Sequence, residues 1–474
     1  MPKYWERVCL AGLFVAGLIA WAYAIGWGTA RLDFHDWAEI NIPRLTFVQH
    51  ALRAGEWPLH MADPSSLHRV TDRFLTLPDV VTTPQMLLLW VVPVHAFVVI
   101  DVLWHYSLGF AGLLLLRRHF DWSLPVFAGV YLLLLFNGHI LAHYSVGHFT
   151  WGPYFVLPFI ALLLFRFLDG DDSWRGIGWF AAAMFYMVLA GGQHHATWVL
   201  LLLALLMPFC ARRAWWLAAA GVASVLLSAV RLLPPALELQ AFRSAGLVSD
   251  VVGYPSMAHL VQSLVWLRRE TPSISLQMPG NIWFFDSSFY EFNAYVGLTG
   301  LALIVYGAYL WLRDARPRYP ELAVPILAMT ALSIGSVYRL VRALHIPLFD
   351  SERYTARMFS LPLTLLIVLA AVAIDRRLRE ATAAGWHRAI ALMALLFVTI
   401  DIAGSIRLWR VAVSAGLFAG ATDAAPVTIN AGIAHRSDPA YVWTILAGAA
   451  LSLATGAFLA VMARRERLRQ ASSG

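Results

Sequence analysis

The run Arg31-Leu32-Asp33-Phe34-His35-Asp36-Trp37-Ala38-Glu39 follows the first long apolar stretch of the chain. Ionisable side chains beside a bilayer are costly unless they are used. Asp33 and Asp36 are spaced so that one helical turn would put both carboxylates on a common face, with His35 and Glu39 beside them. A carboxylate at a partly dehydrated surface can take the proton of a sugar hydroxyl. The plainer reading is a solvated loop start that caps a surface helix.

Further along, His68-Arg69-Val70-Thr71-Asp72-Arg73 mixes bases with one acid. Planar guanidinium groups hold phosphate through paired, permanently charged donors, which makes Arg69 and Arg73 candidate substrate contacts; a surface ion-pair patch is the alternative. Histidines gather at expected outer span ends: His139, His143 and His148, then His194 and His195 after Gln193. His139 and His143 have the spacing that ligates zinc from one helix face, but no HExxH pattern accompanies them. Structural roles or hydrogen bonds to a substrate are favoured over a metal site there. In Asp350-Ser351-Glu352-Arg353-Tyr354-Thr355-Ala356-Arg357, a helix would place Arg353 and Arg357 on one side as a seat for a lipid phosphate. Snorkelling to the interface is the competing reading. Arg231, Glu238 and Arg243 form a weaker set around Pro234-Pro235.

The elements that must position these groups are membrane helices. The 474 residues are 60% hydrophobic and 13% charged, with mean hydropathy +0.66, which excludes a soluble globule. Apolar runs of spanning length predict about twelve transmembrane helices in an all-α polytopic protein. They fall near 8–28, 95–116, 124–142, 151–168, 176–193, 196–210, 214–232, 293–312, 322–341, 358–375, 387–405 and 440–462. Residues 1 to 24 are read as the first span and not as a cleaved leader, because the apolar run is long for a signal peptide.

With the N-terminus inside, the inner segments collect more than half of the 35 basic residues, from Lys3 and Arg7 to the Arg464, Arg465, Arg467 and Arg469 cluster. That is the bias of cytoplasmic loops, and it places both termini in the cytoplasm. The same bias accounts for the net charge of +7, so no nucleic-acid partner is implied. Cys9 and Cys210 suggest neither a disulfide framework nor a metal cage. The chain reads as a single integral membrane domain, 1–474. Its first outer loop, 29–83, is the candidate catalytic segment, with short helices along the membrane surface. A second, 233–292, is a candidate flap over donor or acceptor, and a shorter third covers 406–438.

Several patches, taken in order, resemble the GT-C class of membrane glycosyltransferases, most closely its YfhO-like branch. They are the acidic first loop, Gly55-Glu56-Trp57-Pro58-Leu59, Asn137-Gly138-His139, Gly147-His148-Phe149-Thr150-Trp151-Gly152-Pro153, Gly191-Gly192-Gln193-His194, Leu232-Leu233-Pro234-Pro235-Ala236-Leu237-Glu238, Tyr295-Val296-Gly297-Leu298 and Arg353-Tyr354-Thr355-Ala356-Arg357. The resemblance covers residues from about 30 to 375, most of the chain. It implies a GT-C-like fold and sugar transfer from a polyprenyl-phosphate donor to a cell-envelope glycan, lipid or protein, on the outer face of a bacterial inner membrane. Asp33 or Asp36 would be the catalytic carboxylate. His35, Glu39, Arg69, Arg73, His148, Gln193, His194, Arg353 and Arg357 would contact substrate, the last two steadying the carrier phosphate. One departure is Leu59-His60-Met61-Ala62-Asp63-Pro64, where the family has Asn-Pro and a Gly-rich turn. No cofactor is required, although a divalent metal on Asp33 or Asp36 would serve the chemistry. The rival function is a transporter or non-catalytic binding protein for lipid-linked saccharides. The absence of a detectable internal repeat and the gathering of polar residues at one face favour the enzyme.

Overall fold

Backbone groups facing lipid must bond within their own segment, and the apolar runs do so as helices. A computed structural model describes residues 3–244, 251–267, 289–344, 352–380, 385–419 and 429–473. Among these residues every regular element is helical, and extended pairing is limited to isolated bridges such as Val252 with Tyr354. Pro272 and Pro279 of the expected second loop lie outside the described residues, as do residues 420–428 of the third.

Nine described helical stretches are long and apolar enough to cross a bilayer: Tyr4–Ala24, Val94–Phe120, Leu124–Val146, Phe149–Leu168, Gln193–Leu227, Tyr290–Arg313, Thr355–Glu380, Ala389–Leu408 and Pro439–Ser472. The chain is therefore a multi-pass membrane protein. The difference from the expected number has local causes. Trp174–Leu189, where the span 176–193 is expected, has 16 residues, about 24 Å of helix rise against the roughly 30 Å of a hydrocarbon core. The expected spans 196–210 and 214–232 run together as Gln193–Leu227. A tight turn at Met207–Arg213 breaks that stretch, with Cys210 out of helical geometry at φ −117°. A β-carbon on Gly221 would lie 3.6 Å from Leu200, so the chain doubles back at Arg212 and Arg213. The expected span 322–341 is divided between Pro320–Leu332 and Gly335–Arg342, because Ile334 is extended and Tyr254 bridges to it.

The chain divides into two compact units, each assembled from three separated segments. Unit 1 takes Met1–Arg31, Val102–Gly147 and Asp250–Ala421. Its helices Gly297–Arg313 and Ser360–Glu380 pack so closely that Gly307 sits on the backbone of Ala370, leaving no room for a side chain. Tyr106 and Tyr131 both donate to carbonyls of the first helix, which satisfies hydroxyls that apolar surroundings would otherwise penalise.

Unit 2 takes Leu32–Asp101, His148–Ser249 and Thr422–Gly474. Within its first segment, helix Ile42–Ala54 is followed by three short 3-10 turns. Two buried arginines organise this region. Arg44 donates to the Ser66 carbonyl at 2.7 and 2.9 Å and pairs with Asp79 at 3.1 Å. Arg231 donates to the carbonyls of Leu75 and Leu77 at 2.8 and 2.7 Å. Guanidinium groups spent on loop carbonyls satisfy backbone acceptors that water does not reach.

Candidate functional site

The first loop of unit 2 enters through alternating anchors. Leu32, Phe34 and Trp37 are buried, and the ionisable residues between them are exposed or half-buried. Asp33 lies in the non-helical stretch before the turn, and His35 takes a left-handed conformation, φ 44°. The helical face expected for Asp33 and Asp36 together is therefore not formed. A non-glycine residue held in that region stores strain of a kind concentrated at functional sites. Trp37–Asn41 then winds as a π-turn, another feature that favours such sites. Trp37 is fully buried and packs against Phe149, which also meets Phe97.

This packing brings the loop to His148. His148 Nε2 lies 3.1 Å from Asp36 Oδ2, and His35 Nδ1 lies 3.3 Å from Asp36 Oδ1. One carboxylate is thus addressed by two imidazoles, and a ligand atom from each of the three residues lies within 4.8 Å of the others. From His148 a row of rings continues inward: His148 to Trp151 at 5.6 Å, then Trp151 to His194 at 6.0 Å and to His195 at 5.1 Å. Gln193 opens the helix that carries both histidines. Gly191 makes the turn possible. It has φ +79°, and a β-carbon on it would lie 2.9 Å from both the Asp79 carbonyl and a Thr150 methyl.

Of the sequence candidates, Asp36, His35 and His148 meet directly, and His194 joins them through Trp151. Glu39 is exposed on the π-turn. Arg69 is exposed, with φ 56°. Arg73 sits elsewhere in unit 2, donating to both carboxylate oxygens of Asp438 at 2.7 and 3.1 Å and to Glu238 at 2.8 Å. Those hydrogen bonds hold the Asp438 carboxyl below the usual carboxylate range. His60 completes this cluster, 3.2 Å from Asp72 and 3.7 Å from Asp438, and burial pushes its imidazole down.

Arg353 and Arg357 belong to unit 1. They meet over the ring of Tyr354, each 4.6 Å from its centroid, and not on a helix face. Arg357 forms a two-pronged ion pair with Glu291, which is almost completely buried. Sequence reading passed over Glu291, Asp438 and Trp151 as site members. The first two are lone acids in unremarkable surroundings, whereas Trp151 stood within the quoted Gly147–Pro153 patch.

The His35–Asp36–His148 group fits a divalent ion by its chemistry. Two imidazoles and one carboxylate are donors of intermediate softness that suit zinc or manganese better than magnesium. Asp33, the other carboxylate expected to take a metal, is not in this group. Compared with known proteins, the chain matches no protein-family model and no curated protein.

Proposed function

We propose that the protein is a GT-C type glycosyltransferase of a bacterial cytoplasmic membrane, moving a sugar from a polyprenyl-phosphate donor to a cell-envelope acceptor on the outer face. One observation carries this reading: the Asp36 carboxylate is held between His35 and His148 beside a row of aromatic rings. Nucleotide sugars are not expected outside the cytoplasm, so an outward-facing transferase draws its donor from the membrane, and its leaving group is a lipid phosphate.

In the transfer, an acceptor hydroxyl oxygen bonds to the anomeric carbon while the bond from that carbon to the carrier phosphate breaks. The phosphate leaves with the bonding pair, and the hydroxyl proton passes to Asp36. His148 and His35 fix the orientation of that carboxylate and share the proton it gains. Trp151, almost fully buried, holds the rings of His148 and His194 in place, and the half-buried His194 is the hydrogen-bonding group for a sugar hydroxyl. A divalent ion on His35, Asp36 and His148 would supply positive charge toward the departing oxygens.

Membranes from cells with and without the protein, given radiolabelled polyprenyl-phosphate sugars, test the reading. Protein-dependent transfer that Asp36→Asn abolishes supports it. Uptake or flipping of the labelled lipid without transfer would replace it with the transport alternative.

A further inference from the structure

Unit 1 carries a second constructed site at its arginine-rich end, the end that loop charge assigns to the cytoplasm. A cavity of about 900 Å³ opens there between helices Gly297–Arg313 and Ser360–Glu380, walled by Tyr309, Trp311 and Trp122 and rimmed by Arg313, Arg318 and Arg376. Beside it an apolar groove of about 410 Å³ is lined by Val126, Gly129, Leu133, Ala371, Ile374 and Val398. Both volumes fall within or near the roughly 300–1,000 Å³ of small-molecule sites. Tyr306 and Arg377 line the cavity and the groove alike, so the two adjoin. Along Leu124–Leu135 the groove extends from Pro125 to Leu133, about 12 Å of helix rise, from the arginines toward mid-helix.

Charge decides what fits. The cavity wall bears five arginines against Asp314, Asp375 and Glu380, an excess of positive charge. Arg376 and Arg379 are paired with acids, but Arg313 instead donates to the Tyr309 hydroxyl and lies over that ring. Arg377 reaches Glu380 at only 3.6 Å, with more than half of its side chain exposed. A polar chamber with surplus guanidinium charge, continuous with a dry hydrocarbon slot, matches one chemistry: an anionic phosphate joined to an acyl chain.

We propose that this is a binding site for an anionic phospholipid, with its phosphate at Arg377 and Arg313 and one acyl chain in the groove past Gly129. It does not depend on the sugar-transfer reading, and its test reads lipid and not catalysis.

The full-length protein is purified in mild detergent and offered phosphatidylglycerol, phosphatidylcholine of the same chains, or soluble glycerol phosphate. Bound lipid is counted by native mass spectrometry and melting is followed in parallel. Phosphatidylglycerol should be retained at least tenfold better than phosphatidylcholine, and glycerol phosphate should neither bind nor stabilise. Gly129→Leu fills the slot from a position where a β-carbon has nothing within 4 Å; it should abolish retention while melting in lipid-free detergent stays unchanged. Arg377→Gln should erase the preference for the anionic headgroup. Equal retention of the two lipids, full retention by Gly129→Leu, or equal stabilisation by glycerol phosphate would each overturn the proposal.

Discussion

His148 presents Nε2 to Asp36 Oδ2 at 3.1 Å, joining the first-loop segment of unit 2 to the segment that begins at His148 itself. Losing the carboxylate or this imidazole should therefore damage chemistry more than folding. Asp36→Asn is expected to lower sugar transfer by about 10²–10⁴-fold, the usual worth of a positioned acid or base. His148→Ala should give a smaller loss, and Asp33→Asn should largely retain transfer. Initial rates in membranes, normalised to folded protein, check all three.

Arg357 is predicted to be a folding residue. Its removal leaves Glu291 buried without its two-pronged partner, which costs about 3–5 kcal/mol. Arg357→Ala should melt markedly earlier in detergent, whereas Arg357→Met combined with Glu291→Leu should recover most of the loss. Arg353→Ala, at a half-buried position, should melt close to the native protein. Equal melting of Arg357→Ala and the native protein would show that the pair is not structural.

The cluster around His60 should make its neighbourhood sensitive to acid. Burial lowers the His60 pKa from 6.5, and hydrogen bonds from Arg73 lower that of Asp438 from 3.8. In both cases the unfolded chain binds protons more readily, so the stabilisation is present above the unfolded values and is lost as pH falls through the folded ones. Loosening should begin below about pH 6.5 as His60 charges and continue through the carboxylate range. Hydrogen exchange at Ala62 and Ala434, whose amides bond across this region to Gly432 and His60, should accelerate between pH 7.5 and 5 after correction for intrinsic rate. His60→Gln should flatten the upper part of that response.

Gly191→Ala should lower stability by about 1–3 kcal/mol, because its left-handed backbone and the Asp79 carbonyl at 2.9 Å both resist a methyl group. Since this turn sets the entry of the helix carrying His194, transfer should fall with it. Thermal melting and transfer rates measured on one preparation separate the two effects.

Helical character and membrane residence were legible from hydropathy alone, because length and apolarity decide both. Span count was less so. A 16-residue helix and a helix that doubles back after Cys210 differ from full spans in tertiary packing, which periodicity does not encode. At the candidate site, local spacing pointed to Asp33, His35 and Asp36, and the Gly147–Pro153 patch pointed to His148. Their meeting rests on Trp37 packing against Phe149, a contact between distant segments. Arg69 and Arg73 looked alike in sequence. Only the arrival of Asp438 and Glu238 makes Arg73 an internal tie while Arg69 stays exposed.

That tie has a kinetic consequence. Arg73 is made 365 residues before its partner Asp438, and the helix Pro439–Ser473, which packs on Ala229–Ala236, follows Asp438. The first loop of unit 2 must wait, unlocked, until those 365 further residues have been translated. Nascent chains stalled before residue 438 should leave it open to protease, so maturation of this region is set by elongation time as much as by its own sequence.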